Sequence, residues 1–261
     1  MTKHRFDAGR TEARDASQYV ASVTEPLQGN RDIDFDHEPP QRRASFTDTA
    51  CGSTGTSAPF RDFVKRALDI QIASTLLVLL FPLLLITVLL VMSDGGSPVF
   101  GHLRVGRGGR KFRCLKFRTM VKHSDAVLEH LLATDQLARE EWNRAFKLKN
   151  DIRVTAIGRI LRNTSLDELP QLWNVLRGDM SLVGPRPIVE KEQAKYGDDL
   201  RYYLMVKPGV TGLWQVSGRS NLDYATRVAL DVDYVKKSSL ALDLSILLRT
   251  FKVVFERDGA Y

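Results

Sequence analysis

The chain has 261 residues, 43% of them hydrophobic and 26% charged, with a net charge of +7. That is enough for one sizeable core, or a core plus a membrane element, and too little for several independent domains. The charge is uneven: residues 1–60 hold seven Lys/Arg against nine Asp/Glu, leaving 31 against 22 in residues 61–261, a surplus that suits nucleic acid, anionic lipid or phosphate-bearing substrates.

Residues 1–59 are rich in Ser, Thr, Asp, Arg, Gly and Pro without apolar periodicity and are expected to form a disordered leader. Met1 to Arg10 is polar, so no signal peptide is expected. From Ile70 to Met92 no side chain is charged, and Ile72 to Met92 is long enough for a membrane helix. Pro82 stands in its middle and predicts a kink. Both flanks are basic, with Arg61, Lys65 and Arg66 before and Arg104, Arg107, Arg110 and Lys111 after, which places both ends in the cytoplasm. A re-entrant helix satisfies both observations, and an ordinary kinked spanning helix is the alternative.

Val99 to Val105 and Lys111 to Arg118, joined by Gly106-Arg107-Gly108-Gly109-Arg110, read as a β-hairpin. No Gly-Lys-Ser/Thr follows these glycines, so they read as a turn rather than a phosphate loop. Ser124 to Phe146 is patterned as an amphipathic helix. Further helices are expected over Leu166 to Leu176, Tyr224 to Lys236 and Leu242 to Phe255.

Cys51 and Cys114 show no Cys-x-x-Cys spacing and no nearby His, which argues against a zinc site or a disulfide framework. Asp32 and Asp34 fall in the leader, and Asp231 and Asp233 point to different faces of one helix, so no Asp-x-Asp metal clamp is indicated. No aromatic and basic residues interleave as a base-stacking surface would require, which excludes nucleic acid as a partner.

The richest stretch is Ser165-Leu166-Asp167-Glu168-Leu169-Pro170-Gln171. Ser165 and Glu168 have the spacing of a capping box. An ionised Asp167 in the first turn of such a helix, beside amides that attract phosphate, also suits covalent phosphoryl transfer. Lys116, Arg118, Arg162, Arg186 and Arg219 are candidate partners for the phosphate charge. Arg186 stands between Pro185 and Pro187, and Arg219 follows the rigid stretch Pro208 to Trp214. Trp214 has three readings: core packing, the membrane interface, or stacking on a base.

Four ordered motifs, Lys116 to Met120, Ser165 to Gln171, Gly178 to Pro187 and Pro208 to Gly212, resemble those of the bacterial sugar transferase family, the monotopic phosphoglycosyl transferases, over residues 61–261. The likeness extends to members that begin exopolysaccharides as undecaprenyl-phosphate galactose phosphotransferases. The resemblance implies an α+β, mostly helical fold: a membrane-embedded re-entrant helix broken at Pro82 (residues 60–94) and a cytoplasmic catalytic domain with a β-hairpin (residues 95–261). It implies that Asp167 attacks the sugar-linked phosphate of a UDP-hexose and expels UMP, and that the phosphosugar then passes to undecaprenyl phosphate. Galactose is the preferred sugar and glucose the second. Mg2+ is implied, with Asp167 and Glu168 as its ligands, while Lys116, Arg118, Arg162, Arg186 and Arg219 bind substrate. The setting implied is the bilayer of the bacterial inner membrane, at its cytoplasmic face, and a homo-oligomer is compatible with it. Phe81 stands where the family often has serine before the kinking proline, which removes one support for the re-entrant geometry, and His102 stands where glutamine is frequent. The rival reading is a membrane-anchored adaptor that keeps the fold without turnover.

Overall fold

The computed structural model describes residues 57–93, 95–145, 148–218 and 222–256. The expected leader lies outside them up to residue 56, as do Cys51 and Arg219. The described residues form two compact units, one of residues 123–152 and one of residues 57–122 and 153–256.

In the larger unit, α1 (Ser57–Leu79) and α2 (Phe81–Met92) form one apolar run bent by 64°. The bend falls at Leu80, and Pro82 lies in the first turn of α2, where its missing N–H costs no helical bond. Among the described residues no single helix is long and apolar enough to cross a membrane, while this bent pair passes that test together. Val78, Leu79, Phe81, Ile86 and Leu89 lie exposed along it.

The three basic residues ahead of the uncharged stretch bind the rest of the unit, Arg61 through the Ser238 carbonyl at 2.8 Å. Lys65 Nζ meets Asp243 Oδ2 at 2.7 Å and the Val183 carbonyl at 3.1 Å, and Arg66 donates to the carbonyls of Val175 and Leu176.

Strands β1 (Val99–Val105) and β2 (Lys111–Phe117) pair antiparallel as the expected hairpin, with Phe100 opposite Lys116, His102 opposite Cys114 and Arg104 opposite Phe112. Gly108 and Gly109 take positive φ in the turn between them, which side chains would resist. Helix α5 (Ala156–Asn163) lies against the backbone that follows β2: a Cβ on Gly158 would overlap the Thr119 carbonyl. In the smaller unit the expected helix over Ser124 to Phe146 is instead two, α3 (Ser124–Thr134) and α4 (Gln136–Ala145), broken at Asp135, whose carboxylate accepts from the Ala138 amide.

The expected helix over Leu166 to Leu176 is also two pieces. A 3-10 turn spans Leu166–Glu168, and α6 (Gln171–Arg177) begins only after Pro170. No capping box forms: Ser165 sits in the left-handed region (φ 57°) and its side chain caps nothing. Pro170 accounts for the split: it has no N–H to give the Leu166 carbonyl, so a helix begun at Leu166 cannot run regularly through it. Leu166 and Leu169 are partly buried against Val91 from α2, Phe117 from β2 and Leu161 from α5, which offsets part of the about 1–2 kcal/mol that Ser165 costs in the left-handed region.

After α6 come β3 (Ser181–Val183), α7 (Leu200–Met205), β4 (Gly209–Thr211), α8 (Tyr224–Lys236) and α9 (Leu240–Glu256). The sequence did not announce the parallel pairing of β3 with β4, which unites the Gly178 to Pro187 motif with the Pro208 to Gly212 motif. The main core gathers Ala73, Cys114, Leu172, Val175, Met180, Leu182, Val183, Tyr234 and Ile246, drawn from α1, β2, α6, β3, α8 and α9. Helix α8 has the boundaries the sequence predicts, and Asp223 caps it through the Thr226 amide.

Candidate active site

Three local features converge on one spot. The 3-10 turn presents Asp167 and Glu168 between its two apolar anchors. Strand β2 brings Lys116 from below: Nζ lies 2.7 Å from Glu168 Oε1 and 3.5 Å from Asp167 Oδ2. From α5, Arg162 donates through Nε to the Thr119 hydroxyl at 2.9 Å and lies close enough for its charge to act on Asp167.

Burial pushes the Asp167 carboxyl above its ordinary pKa; Lys116 opposes this, Glu168 adds to it, and Arg162 also opposes it. For Lys116 burial works against the charge, and the attraction of Glu168 and Asp167 outweighs it, so the ammonium is held above its ordinary pKa. The result is a half-buried carboxylate beside a fixed cation, the electrostatic setting a phosphoryl-transfer nucleophile needs.

The other sequence candidates take different places. Arg118 donates to the carbonyls of Ser97 (2.8 Å), Val91 (2.7 Å) and Met120 (3.4 Å), tying the end of α2 to the hairpin. Arg186 is exposed between its two prolines, with Cζ 5.8 Å from the Trp214 ring centroid. Arg227 covers the same ring at 5.0 Å, and the indole is buried, so core packing under two cations is the role of Trp214.

Arg104 was missed as a site candidate, having been read only as a charge flanking the membrane segment. Hairpin register puts it on the same face as Lys116 and His102. Burial and the charge of Arg186 both work against its ionisation, while Glu192 offsets them from 3.6 Å. Partial burial and the charges of Arg104 and Lys116 hold the His102 imidazole below its ordinary pKa. The Val105 amide bonds the Ile188 carbonyl at 2.9 Å, and the Tyr203 hydroxyl bridges Val105 O (2.6 Å) and Ile188 N (3.2 Å). The Pro-Arg-Pro segment is thereby fixed to the hairpin, and Arg186 lies close enough for its charge to act on both Arg104 and Lys116, forming a positively charged wall of which Lys116 contacts the two carboxylates. The alternation of β1 was the signal that could have found Arg104.

Among the described residues no group of three or more His, Cys, Asp or Glu could hold a metal by itself. Asp167 and Glu168 do offer two hard oxygen donors side by side. That fits Mg2+, which commonly binds through one or two carboxylates together with substrate phosphates.

The family described as Bacterial sugar transferase matches residues 60–257. The chain is 58% identical over 199 residues to the UDP-galactose-lipid carrier transferase of Erwinia amylovora, and equally so to the undecaprenyl-phosphate galactose phosphotransferase of Salmonella typhimurium. Each match covers 76% of this chain and 42% of the relative, so the match spans less than half the length of those two proteins. The exopolysaccharide production protein ExoY of Rhizobium meliloti is 50% identical over 209 residues, covering 80% of this chain and 92% of that protein.

Proposed function

This chain belongs to the bacterial sugar transferase family, and from that premise we propose that it transfers a hexose-1-phosphate from a UDP-hexose to undecaprenyl phosphate, releasing UMP and beginning an exopolysaccharide. An Asp167 carboxylate oxygen attacks the phosphorus that bears the sugar. The bond from that phosphorus to the bridging oxygen breaks, and UMP departs with the electron pair. A phosphate oxygen of undecaprenyl phosphate then attacks the aspartyl-bound phosphorus, releasing the carboxylate and forming the lipid-linked diphosphosugar. Lys116 and Arg162 counter the repulsion between Asp167 and the pyrophosphate, while Arg104 and Arg186 hold the donor's charge along the hairpin face. Asp167 and Glu168 would hold Mg2+, and the ion would supply neutralisation of the charge that develops on the departing UMP.

The observation that carries this reading is the carboxylate pair of Asp167 and Glu168 on a strained turn with Lys116 at 3.5 and 2.7 Å. Galactose is the favoured sugar because two relatives at 58% identity are named for galactose, whereas a relative named for glucose, from Caulobacter vibrioides, is 40% identical. The bent, exposed apolar pair α1–α2 supports a re-entrant element in the inner membrane with the catalytic residues on the cytoplasmic face. The test is UMP release from a panel of UDP-hexoses by detergent-solubilised protein with undecaprenyl phosphate and Mg2+. Turnover with one sugar that disappears in Asp167→Asn supports the reading; folded protein that turns over none of them favours the adaptor.

A further inference from the structure

Asn174 is fully buried in α6, the helix that starts three residues after Glu168. Its carboxamide lies against the edge of β2 that β1 leaves unpaired in this two-stranded sheet. Oδ1 accepts from the Leu115 amide at 2.9 Å, and Nδ2 donates to the Arg113 carbonyl at 2.9 Å and to Asp179 Oδ2 at 3.3 Å. The side chain therefore bonds β2 much as a neighbouring strand would, accepting from one residue and donating to the residue two before it. Its orientation is fixed, because both acceptors face the amide nitrogen and the single donor faces the oxygen.

Lys116 is the residue after Leu115, and Asp167 and Glu168 immediately precede the turn into α6. One buried carboxamide thus joins the backbone that carries the cation to the helix that follows the carboxylates. We propose that Asn174 is a positioning residue: it sets the register of β2 against α6 and so fixes Lys116 Nζ between Asp167 and Glu168. The consequence for catalysis rests on the function proposed above, while the geometric claim does not. An apolar side chain of equal size would fill the space but leave the Leu115 N–H and Arg113 carbonyl without these partners, and β2 would shift to find others. A displacement of about 1 Å at a reacting centre can cost about 100-fold in rate.

The test uses the full chain in detergent, comparing the parent with Asn174→Leu and with Asn174→Asp, which keeps an acceptor for Leu115 and loses the donor to Arg113. Thermal unfolding establishes that each variant is folded, and if Asn174→Leu is not, Asn174→Asp decides. Competitive labelling with acetic anhydride, read by peptide mass spectrometry, reports the reactivity of Lys116 without requiring turnover, with Lys237 as reference. Lys116 is expected to label several-fold faster in the variants while Lys237 is unchanged; a Lys116 reactivity equal to that of the parent overturns the proposal. UMP release then distinguishes positioning from general destabilisation. Asn174→Leu should lower kcat about 10- to 100-fold when Lys116 is present and less than about 2-fold in a Lys116→Met background. Equal losses in both backgrounds would mean that Asn174 does not act through Lys116. A parent that labels as expected but releases no UMP contradicts the proposed reaction and leaves the positioning role standing.

Discussion

Lys116 Nζ stands 3.5 Å from Asp167 Oδ2, at ion-pair distance but beyond a good hydrogen bond, because its short contact of 2.7 Å goes to Glu168. Glu168 holds the cation in place, and Asp167 feels its charge without having its oxygen locked in a short bond. Replacing Lys116 with Met leaves burial and Glu168 acting unopposed by this ammonium on the Asp167 carboxyl, whose pKa is already raised. The acid limb of the kcat/KM profile should therefore move to higher pH, and the plateau should fall about 100-fold. A profile that falls in height but keeps the parent's acid limb would mean that Lys116 does not tune Asp167.

Asp167 should cost the fold stability at neutral pH. Its folded pKa is raised, mainly by burial, so its favourable contribution is present below the carboxyl's ordinary value of 3.8 and is lost as pH rises through the folded value. Asp167→Asn, permanently neutral, is expected to melt above the parent near pH 7, with the gap closing toward pH 4. Identical melting temperatures across that range would contradict the burial cost.

A second titration lies in the core. Asp231 accepts a 2.7 Å bond from the Tyr196 hydroxyl, and its other oxygen finds no partner among the described residues. Burial raises its pKa to about 7, against the opposing effects of the Tyr196 bond and Arg186. The same sign applies: stability is greatest below the ordinary carboxyl range and declines as pH rises through about 7. Melting temperatures of the parent and Asp231→Asn measured between pH 5 and pH 8 should diverge as pH rises, the parent losing more. Parallel curves would show that Asp231 does not titrate in this window.

Arg118 is expected to behave as a structural anchor. Its guanidinium serves carbonyls at the end of α2 and beside β2, so Arg118→Ala strands those acceptors and should lower stability by about 1–3 kcal/mol. The KM for the UDP-hexose should change little. A tenfold rise in KM with unchanged unfolding would instead place Arg118 on the substrate, as its spacing from Lys116 suggests.

Where neighbouring residues decide a conformation, the chain could be read directly. The hairpin from Val99 to Phe117 follows from alternation and a glycine turn, α8 from its Asp223 cap and apolar period, and the bend near Pro82 from the chemistry of proline. The site was legible in its residue types: Lys116, Arg162, Asp167 and Glu168 do converge. Its backbone was not. Ser165-x-x-Glu168 has capping-box spacing, yet Ser165 takes a left-handed conformation and the helix starts only beyond Pro170, which has no N–H for the Leu166 carbonyl.

The sequence by itself determined the family, the bent apolar segment, the hairpin and the inventory of charged groups, because each is written in local spacing or in contiguous motifs. Only the tertiary structure decided which charges share a space. Arg118 turns to backbone carbonyls, Arg104 joins the wall beside Lys116, and Asn174 bonds the edge of β2. Those assignments depend on strand register and on contacts between residues about 60 positions or more apart for Asn174 and β2, and no local period encodes which distant backbone group a buried side chain will meet.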